Sequence, residues 1–268
     1  MTRASIRLAA IDLDGTLLNS QGQISEANCE ALRRLAAAGV AIAAATARWP
    51  EAARRPFEQA GVPAHAIACA GADVVLADGT AVGRWPLPPG AAESAAVLSE
   101  RSGWIANISL PGLTYRLAPE LPPWADRAPP WLRPVTTLAG ANLTDALSLL
   151  LEPGEDTAGP PELRGWEDRV ATHWALSSDG LRPMLTITAK GVEKGRGLQA
   201  LCDALGIAPA AAVAFGDSDV DLPMFRVAGM SVAMGNATAE VQDAATFVTT
   251  TTDEDGFAAA VDRILAGD

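Results

Sequence analysis

Residues 10–25 read AIDLDGTLLNSQGQIS, and the architecture of the chain follows outward from them. The apolar run Ile6–Ile11 is short and stops at Asp12-Leu13-Asp14-Gly15-Thr16, which predicts a buried strand ending in a turn. Residues two apart in an extended strand share a face, so Asp12 and Asp14 are expected to converge at its carboxyl end, where open α/β sheets place ligands. Two carboxylates that close repel, so one is protonated or a cation lies between them. Gly15 lets the backbone leave the strand sharply. Taken alone, the run also reads as a surface turn, because Asp and Gly are ordinary turn residues.

The flanking sequence continues the pattern. Ser25 is a helix cap, with Leu32 and Leu35 on one face and Gly39 as the stop after Ala38. Val40–Ala45 reads as a second buried strand and is followed by Thr46. A helix opens at Pro50, where proline is tolerated, and stops at Gly61. Ala66–Ala70 reads as a third strand. Strand, helix, strand, helix, strand predicts a parallel sheet with right-handed crossovers. The rhythm returns late in the chain. Lys194–Leu205 reads as a helix stopped by Gly206, Ala211–Phe215 as a strand ending at Gly216-Asp217-Ser218-Asp219, Met230–Ala233 as a strand and Gly256–Ala266 as a closing helix.

The middle differs in texture. Prolines crowd 119–134, and 152–165 is a loop rich in Pro, Gly and acidic residues. Thr144 is placed to cap a short helix reaching Leu151. Strand-like pieces lie at Trp104–Leu110, Val170–Leu176 and Met184–Thr188. The fold class is therefore α/β: a Rossmann-like parallel-sheet core over 1–83 and 185–268, split by an inserted α+β domain over 84–184. Five of the seven tryptophans (Trp104, Trp124, Trp131, Trp166 and Trp174) fall between residues 104 and 174 of the insert, where packing of its own core is favoured over a sugar-stacking platform.

Composition narrows the function. A chain of 268 residues with 49% hydrophobic and 19% charged residues can bury a core without staples. Twenty Lys+Arg against 32 Asp+Glu give a net charge of −12, which disfavours nucleic acid or an acidic membrane surface as partner. An anionic small substrate then needs local positive charge or a metal ion. Cys29, Cys69 and Cys202 are scattered, and His65 and His173 are the only histidines, so zinc is not expected. Sparse thiols, and an apolar start broken by Arg7 rather than a signal segment, point to the cytoplasm.

The second acidic run, Gly216-Asp217-Ser218-Asp219-Val220-Asp221, also follows a strand. Hard oxygen ligands without His or Cys suit Mg2+. A calcium loop is excluded, because its sixth position is Leu222 rather than Gly and its twelfth is Ala228 rather than Glu. Asp219 reads as a solvated bystander. Thr46 ends a strand, where a hydroxyl and a backbone N–H suit a phosphoryl oxygen, and Lys194 opens a helix, bringing a point charge to the acidic pocket. Each of the two is also common as plain strand-end or helix-start chemistry.

In this order, Asp-x-Asp-Gly-Thr, Thr, Lys and Gly-Asp-x-x-x-Asp resemble the haloacid dehalogenase superfamily, and within it the Cof-type phosphatases. KGVEKGRGL (190–198), GDSDVDLPMF (216–225), SVAMGNATAEV (231–241) and TTDEDGF (251–257) follow in the expected sequence. The resemblance covers both ends of the chain, and the middle matches only as an inserted cap domain. It implies a Mg2+-dependent phosphatase acting on a small phosphate ester, such as a sugar phosphate, through an aspartyl-phosphate intermediate. Asp12 is then the nucleophile and Asp14 the acid and base. Asp12, the Asp14 backbone carbonyl and Asp217 hold Mg2+ with support from Asp221, while Thr46 and Lys194 bind the phosphoryl oxygens. Arg48 and Arg182 are candidates for further positive charge at the domain seam.

The chain departs from that pattern at four places. Val220 stands where relatives carry Asn, Ala47 where they carry Gly, Ala70 where they carry Asn and Glu193 where they carry Ser. Phosphomutase-type transfer and a catalytically weakened metabolite binder are the alternatives. The glycine and lysine motifs of Rossmann oxidoreductases and P-loop ATPases, and the G-x-S-x-G of serine hydrolases, are missing from the sequence.

Overall fold

The structure is a computed structural model that describes residues 6–153, 166, 168–176 and 182–267. The chain divides into two compact units, Met1–Gly83 with Glu193–Asp268, and Arg84–Val192.

The first unit opens with β1 (Leu8–Ile11), α1 (Glu26–Ala37), β2 (Ala41–Ala45), α2 (Pro50–Ala60), β3 (His65–Ala68), β4 (Asp73–Val75) and β5 (Ala81–Arg84). The second unit contributes α3 (Ala91–Ser102), β6 (Ile105–Leu110), β7 (Leu113–Leu117), β8 (Leu132–Val135), β9 (Ser148–Glu152), β10 (Val170–Leu176) and β11 (Pro183–Ala189). The first unit then resumes with α4 (Lys194–Leu205), β12 (Ala212–Gly216), α5 (Leu222–Val227), β13 (Met230–Ala233), α6 (Ala239–Ala244), β14 (Phe247–Val248) and α7 (Gly256–Ala266).

The first unit is built on one sheet ordered β14-β13-β12-β1-β2-β3-β4-β5. The run from β14 to β3 is parallel, and β4 returns antiparallel to β3. The central strands are buried almost throughout and rich in alanine, as in LAAI and AIAAA, so helices can approach both faces closely. Sequence order reverses between β1 and β12. Ile11 stands in register with Ala44 on one side and Phe215 on the other, so the residues just past all three strands share one edge. That reversal opens the crevice where doubly wound sheets bind ligands. Ser25 caps α1 by accepting from the Asn28 N–H at 3.1 Å, and Gly61 ends α2 in the left-handed conformation.

The second unit is a six-stranded sheet ordered β10-β11-β9-β6-β7-β8, antiparallel except for the β7–β8 pair. Ala91, Ala95 and Leu98 of α3 pack with Trp104, Ile108, Leu149, Leu151 and Ile187.

Three expectations are corrected. The helix expected over 144–151 is not formed: Ser148–Leu151 belong to β9, where Leu149 and Leu151 alternate into the core. A short leucine run fits either period, and pairing with β6 and β11 selects the strand. The core was expected to resume at residue 185, but that position lies inside β11, whose partners β10 and β9 belong to the second unit. The loop expected from 152 starts later, because Glu152 ends β9, and its residues 154–165 lie outside those described. Trp104 is buried and Trp166 packs on the same core, whereas Trp124 and Trp174 are exposed, so core packing explains only some of the tryptophans. Among the described residues no helix is long and apolar enough to cross a membrane.

Candidate active site

Five of the six residues singled out from the sequence follow strand ends at this edge or the turn next to them, and the sixth opens α4. Asp12 directly follows β1 and is buried, and its N–H donates to the Phe215 carbonyl at 3.1 Å. Lys194 is the first residue of α4 and equally buried. Its Nζ donates to Asp12 Oδ1 and to Asp221 Oδ1, each at 2.7 Å. Gly195 makes that reach possible, because a Cβ there would collide with the Pro223 carbonyl and push α4 away from α5.

Asp217 lies just past β12, and Asp221 closes the turn that follows. Asp221 Oδ2 accepts from the backbone N–H groups of Asp217 and Ser218 at 3.1 Å each, and from the Ser218 hydroxyl at 3.2 Å. Asp12, Asp217 and Asp221 each bring a carboxylate oxygen within 4.8 Å of the others. Contacts to Asp217 are long, at 3.5 Å from the Thr16 hydroxyl and 3.4 Å from the Asn236 amide. The chain passes close by here: a Cβ on Gly15, whose φ is +82°, would strike the Asp217 carboxylate.

Three carboxylates, two buried and that of Asp217 half-buried, face one ammonium, which leaves an excess of negative charge. Burial holds the Asp12 carboxyl well above the usual range, Asp221 and Asp217 add to this, and Lys194 opposes it. Burial and then Asp221 push Asp217 up to about 7. Burial works against the Lys194 charge, but Asp12 and Asp221 outweigh it and raise the pKa above the ordinary lysine value. The oxygen-only donor set, its close spacing and its uncompensated charge fit a hard divalent cation. Asp221 is already saturated by protein donors, so Asp12 and Asp217 are the better-placed ligands.

Asp14 is not part of that triangle. The strand ends at Ile11, and the turn carries Asp14 toward Arg48, whose Nε and Nη2 donate to its two oxygens at 3.0 and 2.5 Å. The expected convergence of Asp12 and Asp14 along an extended strand is therefore corrected. Thr46 is buried just past β2, and its hydroxyl accepts from the Arg48 N–H at 3.3 Å. Arg182 pairs with Glu152 at 3.0 Å inside the second unit. Asp219 is exposed.

Sequence reasoning passed over Asn236. Its amide donates to the Gly15 carbonyl at 2.8 Å, and its carbonyl accepts from the Thr252 N–H at 2.9 Å, which ties three loops together behind Asp217. The signal was available, since a polar residue just past β13 obeys the same rule that picks out Asp12. Arg48 was noted for its charge, but not as the partner of Asp14.

The family model of haloacid dehalogenase-like hydrolases matches residues 9–106 and 168–261. A 5-amino-6-(5-phospho-D-ribitylamino)uracil phosphatase of Bacillus subtilis is 28% identical over 292 aligned positions, covering 98% of this chain and 99% of the relative. An HMP-PP phosphatase of Cronobacter sakazakii is 30% identical over 250 positions, covering 86% and 85%. A solved haloacid dehalogenase-like hydrolase from Bacteroides thetaiotaomicron shares the fold with a TM-score of 0.79 at 23% identity, covering 97% of this chain and all of that one. With most of its length matched by the family model and relatives aligned nearly end to end, the chain belongs to the haloacid dehalogenase-like hydrolases, among their Cof-type phosphatases.

Proposed function

We propose that this phosphatase of small phosphorylated metabolites is Mg2+-dependent and works through a phosphoryl group carried on Asp12. The observation that carries the reading is the buried Asp12 carboxylate held by Lys194 beside Asp217 and Asp221. Asp12, Asp217 and the Asp14 backbone carbonyl hold the cation, with Asp221 positioning Lys194 and the turn that carries Asp217. Bound Mg2+ supplies positive charge that offsets repulsion between the dianionic ester and the carboxylates.

In the first step the Asp12 carboxylate attacks phosphorus, the bond to the ester oxygen breaks, and Asp14 gives the departing alkoxide a proton. In the second, Asp14 takes a proton from water as that water attacks phosphorus, and Asp12 is released with inorganic phosphate. Lys194 and Thr46 hold phosphoryl oxygens and stabilise charge that builds in the transition state. A sugar or other polyhydroxylated phosphate is the favoured substrate class, in keeping with the Bacillus relative named for a phosphorylated ribityl compound. The three cysteines are free and buried, which supports a reducing, cytoplasmic setting.

A panel of phosphomonoesters assayed with Mg2+ and with chelator tests the reading. Free phosphate, rather than an isomeric ester, is expected with Mg2+ and not with chelator. Equal activity in wild type and Asp12→Asn would overturn it.

A further inference from the structure

The phosphatase chemistry above makes no use of the ion pair between Asp14 and Arg48. Asp14 lies on the turn after β1 with its side chain 39% exposed, where water reaches it and where a lone carboxylate would sample several rotamers. Arg48 removes that freedom. Its Nε and Nη2 donate to the two oxygens at 3.0 and 2.5 Å, a two-pronged grip that fixes the plane of a carboxylate as well as its place. Each carboxylate oxygen has two lone pairs, so one on each is left to accept a proton.

Arg48 is itself held on both sides of its backbone. Its N–H donates to the Thr46 hydroxyl at 3.3 Å, and its carbonyl accepts from the Cys69 N–H at 2.8 Å. The Ala70 N–H donates to the Thr46 carbonyl at 2.9 Å, so the turn after β3 straps the whole Thr46–Arg48 segment. That turn keeps two consecutive non-glycine residues, Cys69 and Ala70, at φ of 52° and 55°. Strain of this kind persists only where the surroundings enforce it, and it recurs where a functional group must be held in one geometry.

We propose that Arg48 is a positioning residue for Asp14 and governs the second step of the reaction, in which Asp14 takes a proton from the attacking water. The fork holds both Asp14 oxygens as acceptors, and that step needs an acceptor. The water O–H bond breaks and its proton goes to a free lone pair of Asp14, while the new bond to phosphorus forms and the bond from phosphorus to Asp12 breaks. This assignment rests on the reading of Asp14 as acid and base given above and adds the residue that sets its geometry.

Steady-state and stopped-flow hydrolysis of p-nitrophenyl phosphate with Mg2+ provides the test, because its leaving group departs without a proton and the first step then bypasses Asp14. In Arg48→Met, kcat falls roughly tenfold or more, KM falls with it, and kcat/KM stays within about twofold of wild type. A burst of p-nitrophenolate approaching one per chain precedes the slow phase. Arg48→Lys keeps the charge without the fork, so it shows a smaller loss of the same kind, and it gives the answer if the first variant does not fold. In an Asp14→Asn background, Arg48→Met lowers the rate no further, since it acts through Asp14. A residue that merely supports the site, or that grips the phosphoryl group itself, lowers kcat/KM and yields no burst. That result overturns the assignment, as do losses that multiply in the double variant, or an unimpaired Arg48→Met beside an impaired Asp14→Asn; all three leave the phosphatase reading standing. Asp14→Asn as active as wild type, or a wild type that hydrolyses no ester, overturns the reading beneath it as well.

Discussion

The molecule has two clusters of charge around buried carboxylates, and they are balanced in opposite ways. In the second unit, Glu152 accepts from Arg116 and Arg182 at 3.0 Å each, and Arg116 also donates to Asn107 at 3.0 Å. One carboxylate is shared by two cations, and its oxygens are used within the sheet. In the first unit three carboxylates cluster around one lysine, which pairs with Asp12 and Asp221, and among the described residues the Asp217 carboxylate has only long contacts at 3.4 and 3.5 Å. The first arrangement is complete as it stands, whereas the second is stable only with a proton or a cation added. Backbone strain follows the same division. Among the described residues, the non-glycine positions with positive φ are Cys69, Ala70 and Asp255, all in the first unit. Charge imbalance and backbone strain thus both fall in the first unit, and such features recur at functional sites.

The strongest way to break this contrast is at Asp12, the proposed nucleophile. Asp12→Asn is expected to lower phosphate release roughly 10⁴-fold or more while circular dichroism stays native, since a group that acts as part of a catalytic unit takes the unit with it. Lys194→Met is next, with activity down on the order of 10³-fold and the metal-free protein destabilised by about 3 kcal/mol or more, read by chemical denaturation. Glu152→Gln, the corresponding lesion in the balanced cluster, costs about 1–3 kcal/mol. Its melting temperature responds to Mg2+ as the wild type does, so the two clusters separate on metal dependence.

The pH dependence sharpens the contrast. An unfolded aspartate titrates near 4, whereas folding pushes Asp217 up to about 7. The folded, metal-free chain therefore binds that proton more tightly than the unfolded chain does. Its contribution to stability is fully present below about pH 4 and is lost as pH rises through about 7. Melting in chelator is expected to fall by several degrees between about pH 5 and pH 8, and excess Mg2+ to abolish the fall. Asn236→Ala, which unties the loops behind Asp217, is expected to weaken Mg2+ binding roughly tenfold by calorimetry, the scale of an outer-sphere partner. The smallest effect is at Ala70, whose φ of 55° strains an L residue. Ala70→Gly is expected to stabilise the protein by about 1 kcal/mol in urea.

Much of the core unit was legible because its signals are local. Buried strands end abruptly at polar residues, Ser25 and Pro50 mark helix starts, and Gly39, Gly61 and Gly206 mark stops. The strand-end rule selected Asp12, Thr46 and Asp217, and the parallel sheet sets their strands side by side. What escaped depends on tertiary context. α3 is alanine-rich and offers little apolar contrast, so no period announces it. β8 contains Pro134, which only an edge strand tolerates, and its place at the sheet's margin cannot be read before the sheet is assembled. Asp14 reaches Arg48 and Asn236 reaches Gly15 across 34 and 221 positions, so neither pairing has a local signature.

A calorimetric titration of the chelated wild-type chain with Mg2+ puts the unbalanced carboxylates most directly to the test. One ion per chain is expected, with binding lost in Asp217→Asn and retained in Glu152→Gln. No binding to wild type, or undiminished binding to Asp217→Asn, would contradict the assignment of Asp12 and Asp217 as ligands of a cation.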